Sequence, residues 1–322
     1  MKYITLGKSD LTVSRIAIGT WQLGGDWGAT DTEAAVTAIR HAADQGVRFF
    51  DTAQAYGFGA SETLLATALK GRARDELVIA TKGGLRPVAG GVARDASASW
   101  IIEGVESSLR ALDTDYIDLY QVHWPDSRTP FEETAGALAK LVSEGKIRHV
   151  GVSNFDADQM DAFSATLPVE TLQPPYNLLH RHIEAEVLPY AAAHDIGVLI
   201  YGPLAHGLLG GGIGPDTRFA PGDWRATSPD FRGAVFERNR ARIDELSRYA
   251  REEIGVTVGQ LAVAWTLANA AVDVAIVGTR SEAHVRESLA AAELVLDAGA
   301  LARIEDIMSD VTPVLGPSPE MR

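Results

Sequence analysis

Short apolar runs alternate along this chain with longer amphipathic stretches, the pattern of strands buried on both faces and separated by surface helices. A β-hairpin is predicted first, from Lys2 to Leu6 and from Thr12 to Arg15, with the expected job of plugging one end of the fold. Predicted strands follow at Ile16–Ile18, Val47–Asp51, Leu77–Thr81, Tyr116–Val122, His149–Val152, Glu170–Leu172, Val198–Ile200 and Val274–Val277. Helical spacing separates them at Asp31–Gln45, Ser61–Lys70, Ser97–Leu112, Pro130–Ser143, Ala157–Ala165 and Ile183–His194, then at Phe236–Glu253, Thr257–Asn269 and Glu282–Leu294. Ser61 reads as a helix cap, Pro130 as a first-turn residue, and Gly46, Gly71 and Gly145 as stops.

Eight strand–helix units in one unbroken alternation predict an α/β architecture: a single (β/α)8 TIM barrel rather than an open doubly wound sheet. It would carry the N-terminal β-hairpin and a C-terminal extra helix at Ala298–Ser309, in one domain over residues 1–312 with a loose tail at 313–322. The stretch 204–230 is rich in glycine and proline, long for a compact domain, and follows a strand end directly, so it is expected to act as a lid.

Composition narrows the class. Across 322 residues there are no cysteines, which excludes disulfides and thiolate metal sites and makes the cytoplasm the expected location. The first residues break into polar and turn types before an apolar signal segment forms, and no membrane-length apolar run appears later. Lys and Arg total 29 against 43 Asp and Glu, a net charge of −14 that opposes attraction to nucleic acid or anionic lipid. Neither nucleic acid nor membrane is an expected partner, and an anionic ligand would need a local basic or backbone site.

The predicted strands end on reactive residues, where barrels of this kind place their chemistry. Asp51, Lys82 and His123 close adjacent strands, and Tyr56 lies in the loop after the first. A nearby lysine ammonium favours the phenolate form of tyrosine, making Tyr56 a useful general acid. A lysine in a partly dry pocket needs a counter-ion, and Asp51 is placed to provide it. His123 would hydrogen-bond the substrate oxygen. Singly, each has an ordinary reading as a turn, cap or packed side chain; three ionisable types on three adjacent strand ends favour a shared site.

The residues Asp51-Thr52-Ala53, Tyr56-Gly57, Ser61-Glu62, Thr81-Lys82 and Gln121-Val122-His123-Trp124-Pro125 resemble, in this order, the aldo-keto reductase superfamily. Gly145-Lys146-Ile147-Arg148, Gly151-Val152-Ser153-Asn154, Gln173, Tyr176-Asn177 and Tyr201, Pro203-Leu204 extend the resemblance over nearly the whole chain, with a leaning toward the bacterial general-stress and inositol-linked branches. The resemblance implies Tyr56 as proton donor, Lys82 and Asp51 as its tuning pair, and His123 as the group that orients the carbonyl. It also implies a nicotinamide dinucleotide across the barrel mouth, with Ser153, Asn154 and Gln173 on its carboxamide and Tyr201 stacked on its ring. Amide and hydroxyl side chains at strand ends suit a neutral amide on their own account, and suit ordinary loop capping equally well.

Gly19, Thr20, Trp21 and Asp51 are further expected cofactor contacts, and Gly202, Pro203, Leu204 and Gly207 offer backbone N–H groups to a pyrophosphate. Gly278, Thr279 and Arg280 open the last barrel helix, whose N-terminus favours an anion. Arg280 suits a 2′-phosphate, which favours NADPH/NADP+ over NADH, although a solvated surface arginine is its ordinary alternative. His284 and Ser288 are the expected adenine-end contacts, and they depart from the family's usual Gln and Asn, as Gly202 and Val277 do from Ser and Pro.

Trp21, Phe58 and Trp124 are expected to line a substrate pocket, with Trp27 and Trp224 contributing from the lid side. Each of these aromatics has an ordinary alternative as a core side chain. His180 and His182 lack a third ligand at fitting spacing, so no metal is expected. The function implied is reduction of an aldehyde or ketone to an alcohol, with alcohol or polyol oxidation, a cofactor-binding redox-sensing regulator and a metal-dependent barrel hydrolase as alternatives. The partner is a small carbonyl or alcohol; the natural substrate, the direction and the oligomeric state are left open by these residues.

Overall fold

The computed structural model describes residues 1–25, 27, 31–278 and 281–314. Strands β1 (Tyr3–Thr5) and β2 (Thr12–Ser14) form the antiparallel hairpin. Strands β3 (Ile16–Gly19), β4 (Phe49–Asp51) and β5 (Val78–Gly83) then begin the barrel. After a second hairpin, β6 (Leu85–Val88) and β7 (Gly91–Arg94), the barrel continues through β8 (Ile117–Val122), β9 (Ile147–Ser153), β10 (Thr171–Gln173), β11 (Gly197–Tyr201) and β12 (Val274–Gly278). All eight barrel strands are parallel, and pairing of β12 with β3 closes the ring.

Helices α1 (Thr32–Asp44), α2 (Ala60–Leu69), α3 (Ala98–Leu112), α4 (Phe131–Ser143), α5 (Ala157–Ser164) and α6 (Val187–Ala193) connect the strands up to β11. Helices α7 (Gly233–Tyr249) and α8 (Val258–Ala268) precede β12, and α9 (Glu282–Ala291) and α10 (Ala298–Met308) follow it. One apolar layer lies between the helices and the outer faces of the strands. A second fills the lower half of the barrel, where Leu6, Leu11 and Val13 from the hairpin region meet Ala17, Phe49, Ala80, Leu119, Leu199 and Val274. The hairpin is therefore the predicted plug, and the inward polar side chains of Asp51, Lys82, Gln121 and Gln173 lie at the opposite end.

Several local expectations are corrected. Ser61 is not the cap of α2: Gly59, at φ +100°, holds that position and Ser61 lies within the first turn. The helix predicted over Ile183–His194 is split into a 3₁₀ turn at His182–Glu184 and α6. Pro189 accounts for the split, because a proline is tolerated in a first turn and not in a helix interior. The helix predicted to run to Glu253 ends in a π turn at Ala250–Ile254, before Gly255 in the left-handed region. Between β11 and α7 the chain makes 3₁₀ turns at Ala205–Gly210, Trp224–Ala226 and Pro229–Phe231. After α10, Val314 is still held, its N–H donating to the Leu179 carbonyl at 2.8 Å.

Candidate active site

Strand alternation builds the site. Along a strand, residues two apart share a face. Ala17, Phe49, Ala80, Leu119 and Leu199 point into the barrel core, so Gly19, Asp51, Lys82, Gln121 and Tyr201 take the next inward positions, toward the C-terminal rim. Asp51, Lys82, Gln121 and Gln173 are all buried there.

The Lys82 ammonium is the centre of the arrangement. It donates to Asp51 Oδ1 at 2.6 Å, to the Thr52 carbonyl at 2.9 Å and to the Tyr56 hydroxyl oxygen at 3.3 Å. An ammonium can only donate, so the phenol oxygen is the acceptor and the Tyr56 proton is not spent on Lys82. Asp51 Oδ2 accepts from Gln173 Nε2 at 2.9 Å and, more distantly, from Gln121 Nε2 at 3.5 Å. The carboxylate is thus held on both oxygens, as a buried charge must be. The His123 ring stands edge-on to Tyr56, with centroids 5.7 Å apart.

Above this group opens a cavity of about 430 Å³. Its walls include Gly19, Trp21, Trp27, Asp51, Tyr56 and His123 on one side, with Ser153, Asn154, Gln173 and Tyr201 across from them. Gly202, Pro203, Leu204, Gly207, Gly278, His284 and Ser288 continue the wall away from Tyr56. Thr20 does not line it; fully buried, Thr20 ties strand ends together, donating to the Asp51 carbonyl and accepting from Ser61 Oγ at 2.7 Å. Thr279 and Arg280 lie outside the described residues.

The polar wall is internally bonded. Ser153 Oγ donates to the Gln173 carbonyl at 2.7 Å, Asn154 Nδ2 to Ser153 Oγ at 3.0 Å, and the Tyr201 hydroxyl to Asn154 Oδ1 at 3.0 Å. Asn154 sits at φ +63°, a conformation asparagine tolerates better than most residues. Both Gly202 (φ +66°) and Gly207 (φ +104°) adopt positive φ, which presents bare backbone to the cavity.

The aldo/keto reductase family model matches residues 15–309. The chain belongs to that family. Aldo-keto reductase YhdN of Bacillus subtilis (strain 168) is 44% identical over 283 residues, covering 87% of this chain and 85% of the relative. An NADH-specific methylglyoxal reductase of Escherichia coli (strain K12) is 36% identical over 316 residues, covering 92% and 95%. Among solved structures, the glycerol dehydrogenase AKR11B4 from Gluconobacter oxydans superposes with a TM-score of 0.88 at 39% identity, over 98% of both chains. This aldo-keto reductase is accordingly an NAD(P)H-dependent oxidoreductase of carbonyl substrates.

Not every aromatic expected in the reductase's pocket is there. Trp21 stacks near Tyr56, with centroids 6.2 Å apart, and Trp27 meets Trp21 edge-on at 5.1 Å. Phe58 is 43% exposed and does not line the cavity. The consecutive positive φ angles of Gly57, Phe58 and Gly59 make a left-handed turn there. Trp124 and Trp224 also lie outside the lining. Trp124 is covered by the Arg94 guanidinium, and Trp224 packs against Trp27 and Phe231.

Gln22, His206, Arg225 and Glu287, none of them singled out from the sequence, do line the cavity. Arg225 bonds Asp223 at 2.7 Å and the His206 carbonyl at 3.1 Å, and lies over the Trp27 ring. With the Trp27–Asp223 backbone bridge, these contacts bind the segment after β11 to the loop after β3. Only the position of His206 within the glycine-rich stretch could have flagged it, and Arg225 gives no local signal. No helix among the described residues is long and apolar enough to cross a membrane.

Proposed function

We propose that this enzyme reduces aldehydes or ketones to alcohols with NADPH, using Tyr56 as the proton donor. The observation that carries the reading is one ammonium, Lys82, shared between a buried carboxylate and a phenol on the cavity floor. The walls suit a nicotinamide dinucleotide: amide and hydroxyl groups beside Tyr201, then bare backbone at Gly202 and Gly207 where side chains would obstruct a phosphate. Such a cofactor, when bound, supplies the hydride in reduction and accepts it in oxidation. Ser153, Asn154 and Gln173 would hold its carboxamide after exchanging their present bonds with one another.

The protein's own part is proton transfer and orientation. Tyr56 donates its O–H to the substrate oxygen as negative charge develops there. Lys82, already bonded to the phenol oxygen, stabilises the phenolate left behind, and Asp51 keeps the ammonium from being an unpaired buried charge. His123, beside Tyr56, orients the substrate oxygen toward the phenol. Trp21 and Trp27 wall the reacting end with apolar surface, which keeps bulk water away.

The preference for NADPH rests on Arg280, two residues before α9 in the sequence. Cytoplasmic residence is proposed on the absence of cysteine. Similarity to a glycerol dehydrogenase supports alcohol oxidation as a second direction of the same chemistry. Initial rates with NADPH and NADH against aldehydes and ketones, and with the oxidised cofactors against polyols, test the whole reading. Turnover of carbonyls with NADPH preferred is expected, and Arg280→Ala should weaken NADPH far more than NADH. Cofactor binding without turnover in either direction would instead favour a redox-sensing regulator.

A further inference from the structure

The loop that carries Tyr56 ends in Ser61-Glu62, two fully buried polar residues in the first turn of α2. Ser61 reaches toward β3 and β4: its Oγ donates to Thr20 Oγ1 at 2.7 Å and lies 3.2 Å from Thr52 Oγ1. Glu62 reaches the other way, where Oε1 accepts from Thr81 Oγ1 on β5 at 2.7 Å. Between these two pins, Ser61 N–H donates to the Tyr56 carbonyl at 3.2 Å and Gln54 N–H to the Lys82 carbonyl at 3.0 Å. Thr81 immediately precedes Lys82, and strand alternation turns Thr81 outward to α2 while Lys82 points into the site.

We propose that Glu62 is a positioning residue, whose bond to Thr81 holds the Tyr56 loop in register with Lys82 and so sets the phenol–ammonium contact. The reading that Tyr56 is the proton donor is its premise. A side chain that is merely buried filler would pack with carbon. Here a carboxyl group is placed behind the strand bearing the catalytic lysine, its Oε1 accepting from Thr81 Oγ1 and the Ser108 hydroxyl close to it.

Burial pushes the Glu62 carboxyl above the usual carboxylate range, against the lowering effects of Thr81, Ser108 and Lys82. The work assigned to Glu62 is hydrogen-bond geometry, Oε1 on Thr81 Oγ1 at 2.7 Å, which an amide of the same shape can also supply. Tyr120 adds to the same chamber: its hydroxyl lies 1.9 Å from where a Cβ at Gly83 would sit and 2.9 Å from one at Gly104. Neither glycine could carry a side chain without displacing that hydroxyl, so the end of the strand carrying Lys82 is closely packed from behind.

The test compares Glu62→Gln, Glu62→Ala and Thr81→Val, with Tyr56→Phe run beside them. Each is measured for kcat, KM, cofactor affinity by fluorescence quenching, and the pH profile of kcat. Glu62→Gln is expected within about threefold of the parent. Glu62→Ala should lose roughly tenfold or more in kcat, the scale set by small misplacements of reacting groups, with cofactor affinity within twofold and a displaced pH profile. Thr81→Val, which removes only the hydroxyl, should show part of the same loss if Glu62→Ala fails to fold. Parent-like kcat and pH profile in both Thr81→Val and Glu62→Ala, or equal losses in Glu62→Gln and Glu62→Ala, would overturn the proposal. Full activity in Tyr56→Phe would remove its premise instead.

Discussion

Replacing Lys82 with methionine keeps an unbranched side chain, one atom shorter, and removes its charge. In the parent, the ammonium is 1% exposed and its partner Asp51 4% exposed, so neither ion has water to fall back on. The substitution strands a buried carboxylate with Oδ1 deprived of its 2.6 Å partner, while Oδ2 keeps the 2.9 Å bond from Gln173. Breaking one side of such a pair costs about 3–5 kcal/mol. Loss of the group that stabilises the phenolate should also lower kcat by roughly 10²–10⁴. Asp51→Asn made together with Lys82→Met removes both charges, so the double variant should recover stability without recovering activity.

Urea unfolding of the four proteins supplies the double-mutant cycle, and NADPH consumption supplies the rates. The stability loss of the double variant should fall short of the sum of the single losses by about 2 kcal/mol or more. If the losses add to within about 0.5 kcal/mol, the two residues are not a coupled pair. If Lys82→Met reduces carbonyls at the parental rate, the role given to the ammonium is wrong.

Two further outcomes follow from contacts around the site and at the barrel floor. His149 lies between Asp10 and Glu170, with ring nitrogens 2.8 and 2.5 Å from their carboxylate oxygens, and its pKa is raised chiefly by the bond to Glu170 against burial. Stability from this group is complete below about 6.5 and is lost as pH rises through the higher folded value. The gap in unfolding free energy between the parent and His149→Gln should therefore narrow from pH 5.5 to 9; a gap that stays constant or widens would refute the linkage. A Cβ at Gly24 would lie 2.8 Å from the Tyr56 carbonyl carbon, which cannot yield without moving Tyr56, whereas the nearest atoms to one at Gly278 belong to the Gln22 side-chain amide. Gly24→Ala should cost about 1–3 kcal/mol and much of kcat, with Gly278→Ala nearer the parent in stability; the reverse order in thermal melts would count against that packing.

The fold was readable because each barrel strand is a short apolar run that ends on a polar or small residue, as at Asp51, Lys82 and Gln173. The same period that fills the lower barrel with Ala17, Phe49 and Ala80 delivers those residues to the rim. Pairing in space was harder to read. The β6–β7 hairpin hides in Leu85–Arg94, where Pro87 weakens the strand signal and the Gly90-Gly91 pair, with Gly90 at φ +88°, marks the turn. Phe58 stands two residues from Tyr56 and still misses the cavity, because the left-handed turn between two glycines is a backbone choice that hydropathy does not register. Contacts of Arg225 with His206 and Trp27 join residues far apart along the chain, and no local pattern announces them. Ser61 looked like a helix cap because capping and strand-tying use the same hydroxyl chemistry.

Single-turnover reduction of an aldehyde by Tyr56→Phe, with cofactor affinity measured on the same preparation, bears most directly on the site. The parent phenol should be worth roughly 10²–10⁴ in rate, lost in the variant while cofactor affinity stays within about twofold, since Lys82, Asp51 and the polar wall remain. Reduction by the variant at the parental rate would show that the proton comes from elsewhere.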